Sequence, residues 1–202
     1  MTYSLETAQR RHLDIGCGVL PHNPYRRPDI FGIDIRQIDK DSSFTFVAAN
    51  LVLQAIPFPD HHFGSVSAFD FIEHVPRVLV THDNNATRFP FVELMNEVWR
   101  VLAPGGLFYA LTPAFPSGQA FRDPTHVNII TEETHHYFVG DPPGARMYGF
   151  SGGFRTRRCG WVVVRDSQFS APPTMRQKIR LVQHKLKGQL SHYLWELEAV
   201  KP

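Results

Sequence analysis

The sequence predicts an α/β fold with a mostly parallel sheet covered on both faces, and three observations carry that prediction. Short, continuously apolar, β-rich runs follow one another through the first half of the chain. The clearest helical period, from about Pro90 to Leu102, stands between two of them. The first run closes on a glycine turn, Asp14-Ile15-Gly16-Cys17-Gly18. Continuous apolar runs suit strands buried on both faces, and a helix between strands makes a parallel crossover.

HLDI (12–15) is the first strand, FGIDI (31–35) the second, FTFVAA (44–49) the third, GSVSAFDF (64–71) the fourth and GLFYALT (106–112) the fifth. The helix at 90–102 repeats Phe91, Leu94, Met95, Val98, Trp99 and Leu102 at helical spacing. Pro90 suits its first turn, and Ala103-Pro104-Gly105-Gly106 stops it. The segment after Gly18 should be the first crossover helix, but Pro21, Pro24 and Pro28 each remove a backbone donor. A short, broken helix or an irregular loop is expected there. Residues 113–130 read as a long polar loop, Thr131 as the start of a short helix with Glu132 and Glu133 at its positive end, and 139–153 as a further loop. WVVV (161–164) and HYLWELEAV (192–200) read as two more strands. Between them lies a basic amphipathic helix near 174–188, with Met175, Ile179, Val182 and Leu186 on one face and Gly188 as its stop.

Composition bounds the function. A chain of 202 residues, 43% hydrophobic and 20% charged, is expected to form one globular domain, 1–202. With 21 Lys+Arg against 19 Asp+Glu the formal charge is only +2, so nothing general points to nucleic acid. Two isolated cysteines, Cys17 and Cys159, exclude a disulfide scaffold and a zinc site. No apolar run approaches the roughly 20 residues of a membrane helix. MTYSLETAQRRH lacks the apolar stretch of a secretory signal, and a cytoplasmic location is expected.

The glycine turn is where a ligand is expected. Open α/β sheets bind ligands at the carboxyl ends of their strands, and glycines there let backbone approach closely. Asp34, ending the second strand, can accept both hydroxyl hydrogens of a ribose. A dinucleotide site would want glycine where Pro21 stands, and a helix to receive a pyrophosphate. Asp14 is unwelcome beside phosphate but suits a cation such as the ammonium or sulfonium of S-adenosylmethionine.

These residues resemble the class I S-adenosylmethionine-dependent methyltransferases, of the type 11-like kind. LDIGCG resembles that family's first motif, FGIDI its second strand, IPFPDHHFGSVSAFDFIEHV its stretch around strand four, VWRVLAPGGLFYALTP its turn into strand five, and HYLWELEAVK its last strand. The resemblance implies a three-layer, Rossmann-like, seven-stranded mostly parallel sheet with an antiparallel last strand. It implies S-adenosyl-L-methionine as cofactor, held by Asp14, Gly16, Cys17, Gly18, Asp34, Ile35, Asn50, Leu51 and Phe69. GVLPHNPY, RFPFVELMNEVWRVL and AFRDPTHVNIIT narrow it to a bacterial subgroup that often accompanies polysaccharide biosynthesis. Three departures stand out. Leu20 replaces a glycine, Asn50 replaces the acid that meets adenine, and about eleven residues precede the first strand, so the usual N-terminal capping helices are missing. The acceptor cap must then come from the loops at 76–90 and 113–153.

The acceptor is expected beyond strands four and five. His74 follows Glu73 after strand four, and His126 lies in Asp123-Pro124-Thr125-His126-Val127-Asn128 after strand five. An imidazole near a carboxylate can take a hydroxyl proton near neutral pH, so His126, His74 and Asp123 are the catalytic candidates. The alternative for His74 is helix-start packing, for His126 a loop-bracing bond and for Asp123 a turn. No metal-ligand spacing is present. The expected reaction is methyl transfer to a hydroxyl of a sugar or glycan precursor. Its alternatives are a small metabolite, a lipid-linked head group, or binding of S-adenosylmethionine without turnover. The basic helix admits peripheral membrane contact, with a solvated face as its alternative.

Overall fold

A computed structural model describes residues 5–37, 43–81 and 86–201. A seven-stranded sheet runs β1 (Arg11–Ile15), β2 (Asp29–Asp34), β3 (Thr45–Ala48), β4 (Phe63–Phe69), β7 (Leu102–Pro113), β8 (Phe154–Val162) and β9 (His192–Ala199), with β5 (Leu79–Thr81) and β6 (Ala86–Arg88) forming a separate hairpin. The sheet order is β3-β2-β1-β4-β7-β9-β8. β1 to β4 and β7 pair in parallel, while β9 is antiparallel to both β7 and β8. β9 is therefore the reversed strand of the expected Rossmann-like sheet, and the chain order switches direction at β1, between β2 and β4.

Side chains alternate between the two faces. Phe108 and Ala110 of β7, with Trp195 and Leu197 of β9, join the main core, against which α2 (Pro90–Val101) packs Phe91, Leu94, Met95 and Val98. Tyr109, Leu111 and Leu194 face the other way, with Phe69 and Tyr25. No helix covers that second face between β1 and β2. Residues 16–28 cross it as irregular chain, as the three prolines require. Tyr25 sits edge-on to Tyr109 and donates to Glu196 Oε1 at 3.0 Å.

Several expectations need correction. A short helix, α1 (Leu5–Arg10), does precede β1. It lies at the amino end of β4, where a Cβ on Gly64 would stand 2.8 Å from the Gln9 Cα, so it does not cap the carboxyl edge. The Pro104-Gly105-Gly106 turn ends α2 but lies within β7 as an irregularity, since Phe63 pairs with Leu102 and Ser65 with Leu107. The strand expected at 161–164 begins at Phe154 and ends at Val162. It is an edge strand with exposed Arg155, Thr156 and Arg157, which hide its period. The helix expected from Thr131 is a 3-10 turn over Thr134–Phe138, and Thr131 accepts the Glu133 amide ahead of it. The loop at 113–130 contains the four-residue α3 (Gln119–Arg122), and that at 139–153 a 3-10 turn, Gly144–Tyr148. The basic helix is α4 (Met175–Leu186), started by a reciprocal capping box between Thr174 and Gln177. Part of the 76–90 loop, residues 82–85, lies outside the described residues.

Candidate functional site

The carboxyl ends of β1 and β2 come together through hydrogen bonds that their sequence spacing does not show. Gly16 and Cys17 donate their amides to the Ile33 carbonyl at 2.8 and 3.0 Å. Gly18 N–H donates to Asp34 Oδ2 at 2.9 Å. Both glycines have positive φ, +72° and +57°. Their reasons differ. A Cβ on Gly16 would meet the Phe71 ring at 2.4 Å, so that position is closed by the protein itself. A Cβ on Gly18 would meet only the tip of Arg36, at 3.8 Å, so its open side can admit a ligand.

Asp34 is held by Arg36, whose backbone N–H and Nε donate to Oδ1 at 3.0 and 2.9 Å and whose Nη2 donates to Oδ2 at 3.2 Å. Although burial pushes its pKa up, these donors and the Gly18 amide leave Asp34 below the usual carboxylate range. The Arg36 side chain is 69% exposed, so it can leave and free the carboxylate for a ribose. An exchangeable guanidinium on a buried carboxylate, beside an open glycine, fits the sugar end of S-adenosylmethionine.

The remaining cofactor candidates fall into two groups. Ile35 is exposed beside Asp34, and Asn50 follows β3, where its Oδ1 accepts the Val52 amide at 3.1 Å. A carbonyl oxygen keeps a second lone pair, so this turn still leaves Asn50 able to accept. Leu51, Phe69 and Cys17 are buried. Burial pushes the Cys17 thiol up to about 12, which excludes it as a nucleophile near neutral pH. Asp14 is enclosed: Oδ2 accepts the His22 amide at 2.8 Å and Oδ1 the Ser67 hydroxyl at 2.5 Å. Burial pushes it up to about 7. The structure thus brings Asp14 to the proline-rich segment and not to open space.

The acceptor candidates gather beyond β4 and β7. A cavity of ≈ 420 Å³ is lined by Asp70, Glu73, Arg122, Asp123, His126 and His192, among others. His74 sits edge-on to His126, ring centres 4.8 Å apart. The Thr125 hydroxyl donates to Asp123 Oδ1 at 2.6 Å, and so must accept from His74 Nδ1 at 2.9 Å. Asp123 therefore reaches His74 through Thr125. His126 Nδ1 faces the Ala120 carbonyl at 3.2 Å, an acceptor only, so Nδ1 is the donor and, in the neutral ring, Nε2 is the atom that can accept a proton.

In the sequence Glu73 stands out only as a neighbour of His74. It is almost fully buried, with Oε2 accepting the Thr112 hydroxyl at 2.9 Å and Oε1 unpartnered. Burial pushes it up to about 8. One donor atom each from Glu73, His74 and His126 lies within 4.8 Å of the others, a grouping invisible to spacing rules because two separate loops build it. His61 is exposed at a loop, while His62 and His135 are buried.

Residues 13–110 match the family described as "Methyltransferase domain". No curated protein matches the chain. An S-adenosylmethionine-dependent methyltransferase from Archaeoglobus fulgidus superposes with TM-score 0.55 at 16% identity, over 95% of this chain and 87% of that one. Geranyl diphosphate C-methyltransferase from Streptomyces coelicolor A3(2) superposes with TM-score 0.56 at 14% identity, over 97% and 75%. The [4+2]-cyclase SpnF superposes equally well, TM-score 0.56 at 17% identity over 95% and 75%, so this fold alone does not select a reaction. Residues 13–110 are thus similar to a methyltransferase domain, and the seven-stranded mostly parallel sheet is the α/β, Rossmann-like fold that these solved structures share.

Proposed function

We propose that the protein methylates a hydroxyl of a sugar or glycan precursor, with Gly18, Asp34, Ile35, Asn50 and Leu51 holding the cofactor and His126 serving the acceptor. The observation that carries this reading is the cavity beyond β4 and β7. Apart from two prolines its lining is polar, as a hydroxyl-rich acceptor requires. When bound, S-adenosylmethionine supplies a methyl group on a positively charged sulfur. The protein's task is to hold the acceptor oxygen in line and exclude water. As that oxygen gains a methyl group its proton must leave, and Nε2 of the neutral His126 ring can take it. His126 lines the cavity, whereas His74, anchored by Thr125, positions it from the side.

The acceptor cap, in this reading, is built from the loops at 76–90 and 113–153. A second cavity of ≈ 490 Å³ between those loops, with Phe89, Phe91, Tyr137, Phe138 and Tyr148 in its lining, favours an alternative acceptor whose head group carries an apolar tail.

The test is release of S-adenosylhomocysteine with panels of sugars, sugar nucleotides and lipid-linked sugars. His126→Ala should leave cofactor affinity unchanged and cut turnover about 10²- to 10⁴-fold. Full turnover in that variant would remove His126 from catalysis. Cofactor binding without turnover on any acceptor would leave a binding module.

A further inference from the structure

α4 is amphipathic in the wrong sense for a soluble protein. Successive residues advance about 100° around a helix, so Met175, Ile179, Val182 and Leu186 form one narrow stripe. A soluble helix turns such a stripe inward. Here these four residues are 70%, 52%, 56% and 83% exposed, and the residues turned toward the protein are Gln177, Arg180, Leu181 and His184. Arg180 fixes that orientation by donating to Asp166 Oδ1 at 2.5 Å.

Cations flank the outward stripe on both sides. Lys178 and Lys185 stand on one flank, Arg176 and Lys187 on the other, all exposed. No Asp or Glu occurs between Ser167 and Trp195. An exposed apolar stripe between two basic rows is complementary to the interface of an anionic bilayer, where acyl chains take the stripe and headgroups the cations. A second copy is a poor occupant. Pairing the stripe with itself would bring like charges together, and four side chains fall well short of the roughly 800 Å² per partner of a stable interface.

The location adds purpose. α4 is carried by the connection from β8 to β9, whose ends Val162 and His192 pair with each other, while His192 pairs with Pro113 at the carboxyl end of β7. The helix thus belongs to the same sheet edge as the acceptor cavity, which His192 also lines. We propose that α4 docks the protein on anionic lipid surfaces through Met175, Ile179, Val182 and Leu186, with Arg176, Lys178, Lys185 and Lys187 reading the headgroup charge. This does not depend on the identity of the acceptor.

The test is cosedimentation of the full chain with vesicles of phosphatidylcholine alone, and of phosphatidylcholine with about one-third phosphatidylglycerol. Binding should be confined to the anionic vesicles and fall with salt. Ile179→Glu with Val182→Glu, and separately Lys178→Glu with Lys185→Glu, should each weaken it roughly 10-fold or more. All four positions are exposed, so unchanged melting temperature and circular dichroism confirm that the variants fold. Equal binding to both vesicle types, binding to neither, or undiminished binding by both double variants would overturn the proposal. So would sedimentation equilibrium showing a dimer that either double variant dissolves, since the stripe would then belong to a second copy.

Discussion

His12 Nε2 lies 2.9 Å from the backbone carbonyl oxygen of His22, across the interior from β1 to the proline-rich segment. That carbonyl can only accept, so Nε2 carries the proton and also faces Ser67 Oγ at 2.9 Å, while Nδ1 accepts from Ser65 Oγ at 2.8 Å. Ser65 in turn accepts from Arg27 Nε at 2.7 Å, and Ser67 donates to Asp14, which receives the His22 amide. A crossover helix would satisfy its own backbone. An irregular crossover cannot, so the sheet beneath it supplies the partners.

His12→Ala should therefore loosen residues 20–27 specifically. It removes a partner of the half-buried His22 carbonyl and of two buried hydroxyls, Ser65 and Ser67; the Ser65 hydroxyl, left with nothing to donate to, alone accounts for about 1–3 kcal/mol. Denaturant unfolding should report that loss, and hydrogen exchange should be accelerated at the His22 and Arg27 amides. Exchange rates there matching wild type would contradict this account.

His12 and Asp14, alternate residues of β1, predict an unusual pH response. Burial pushes His12 down to about 3, so below about 6.5 the unfolded chain binds the extra proton, and stability falls as pH drops from 6.5 toward 3. Burial pushes Asp14 up to about 7, so between about 4 and 7 the folded state binds the extra proton, and stability falls as pH rises. Between about pH 4 and 6.5 the two slopes, each about 1.4 kcal/mol per pH unit, oppose one another. Relative to wild type, His12→Gln should make stability fall with pH over that window, and Asp14→Asn should make it rise. Urea titrations at half-unit steps check the sign, and parallel curves would reject the assignment.

Asp34→Ala should weaken S-adenosylmethionine binding roughly 10- to 100-fold, the scale for losing hydrogen bonds to a charged group. Arg36→Ala should leave affinity unchanged or improve it, because the guanidinium occupies the carboxylate that the ribose would use. Calorimetry on both variants decides this. A large loss from Arg36→Ala would make Arg36 a ligand contact instead of an exchangeable occupant.

Gly16 and Gly18 should separate fold from binding. Gly16→Ala drives a Cβ into Phe71 and should lower the melting temperature whether or not cofactor is present. At Gly18 a Cβ meets only the tip of Arg36, so Gly18→Val should cost about 1–3 kcal/mol of strain from its positive φ, leave a folded protein, and abolish S-adenosylmethionine binding. Equal melting of wild type and Gly16→Ala, or normal binding by Gly18→Val, would each refute its half.

A chelator distinguishes the two chemistries open to the acceptor cluster. With His126 as proton acceptor, turnover should be insensitive to EDTA. A loss restored by a divalent cation would reassign Glu73, His74 and His126 as ligands.

By itself the sequence determined the first four strands, the strand expected at 106–112, the last strand and a helix from about Pro90 to Leu102, because each depends on a local period or on a turn residue with no substitute; the edge strand expected at 161–164 and the hairpin of β5 and β6 were not legible. Gly18 and Asp34 were legible for the same reason, as a turn and a strand end that the parallel sheet brings side by side. Tertiary structure alone decided what the polar side chains do. Asp14, which in sequence suits a cation, spends its carboxylate on His22 and Ser67; the alternate residues His12 and Asp14 of β1 are polar because bare backbone covers them. Likewise the stripe of α4 has the same period facing in or out. Only the packing of Gln177, Arg180 and Leu181 settles which way it turns, since a helical period records that one face differs but not what lies against it.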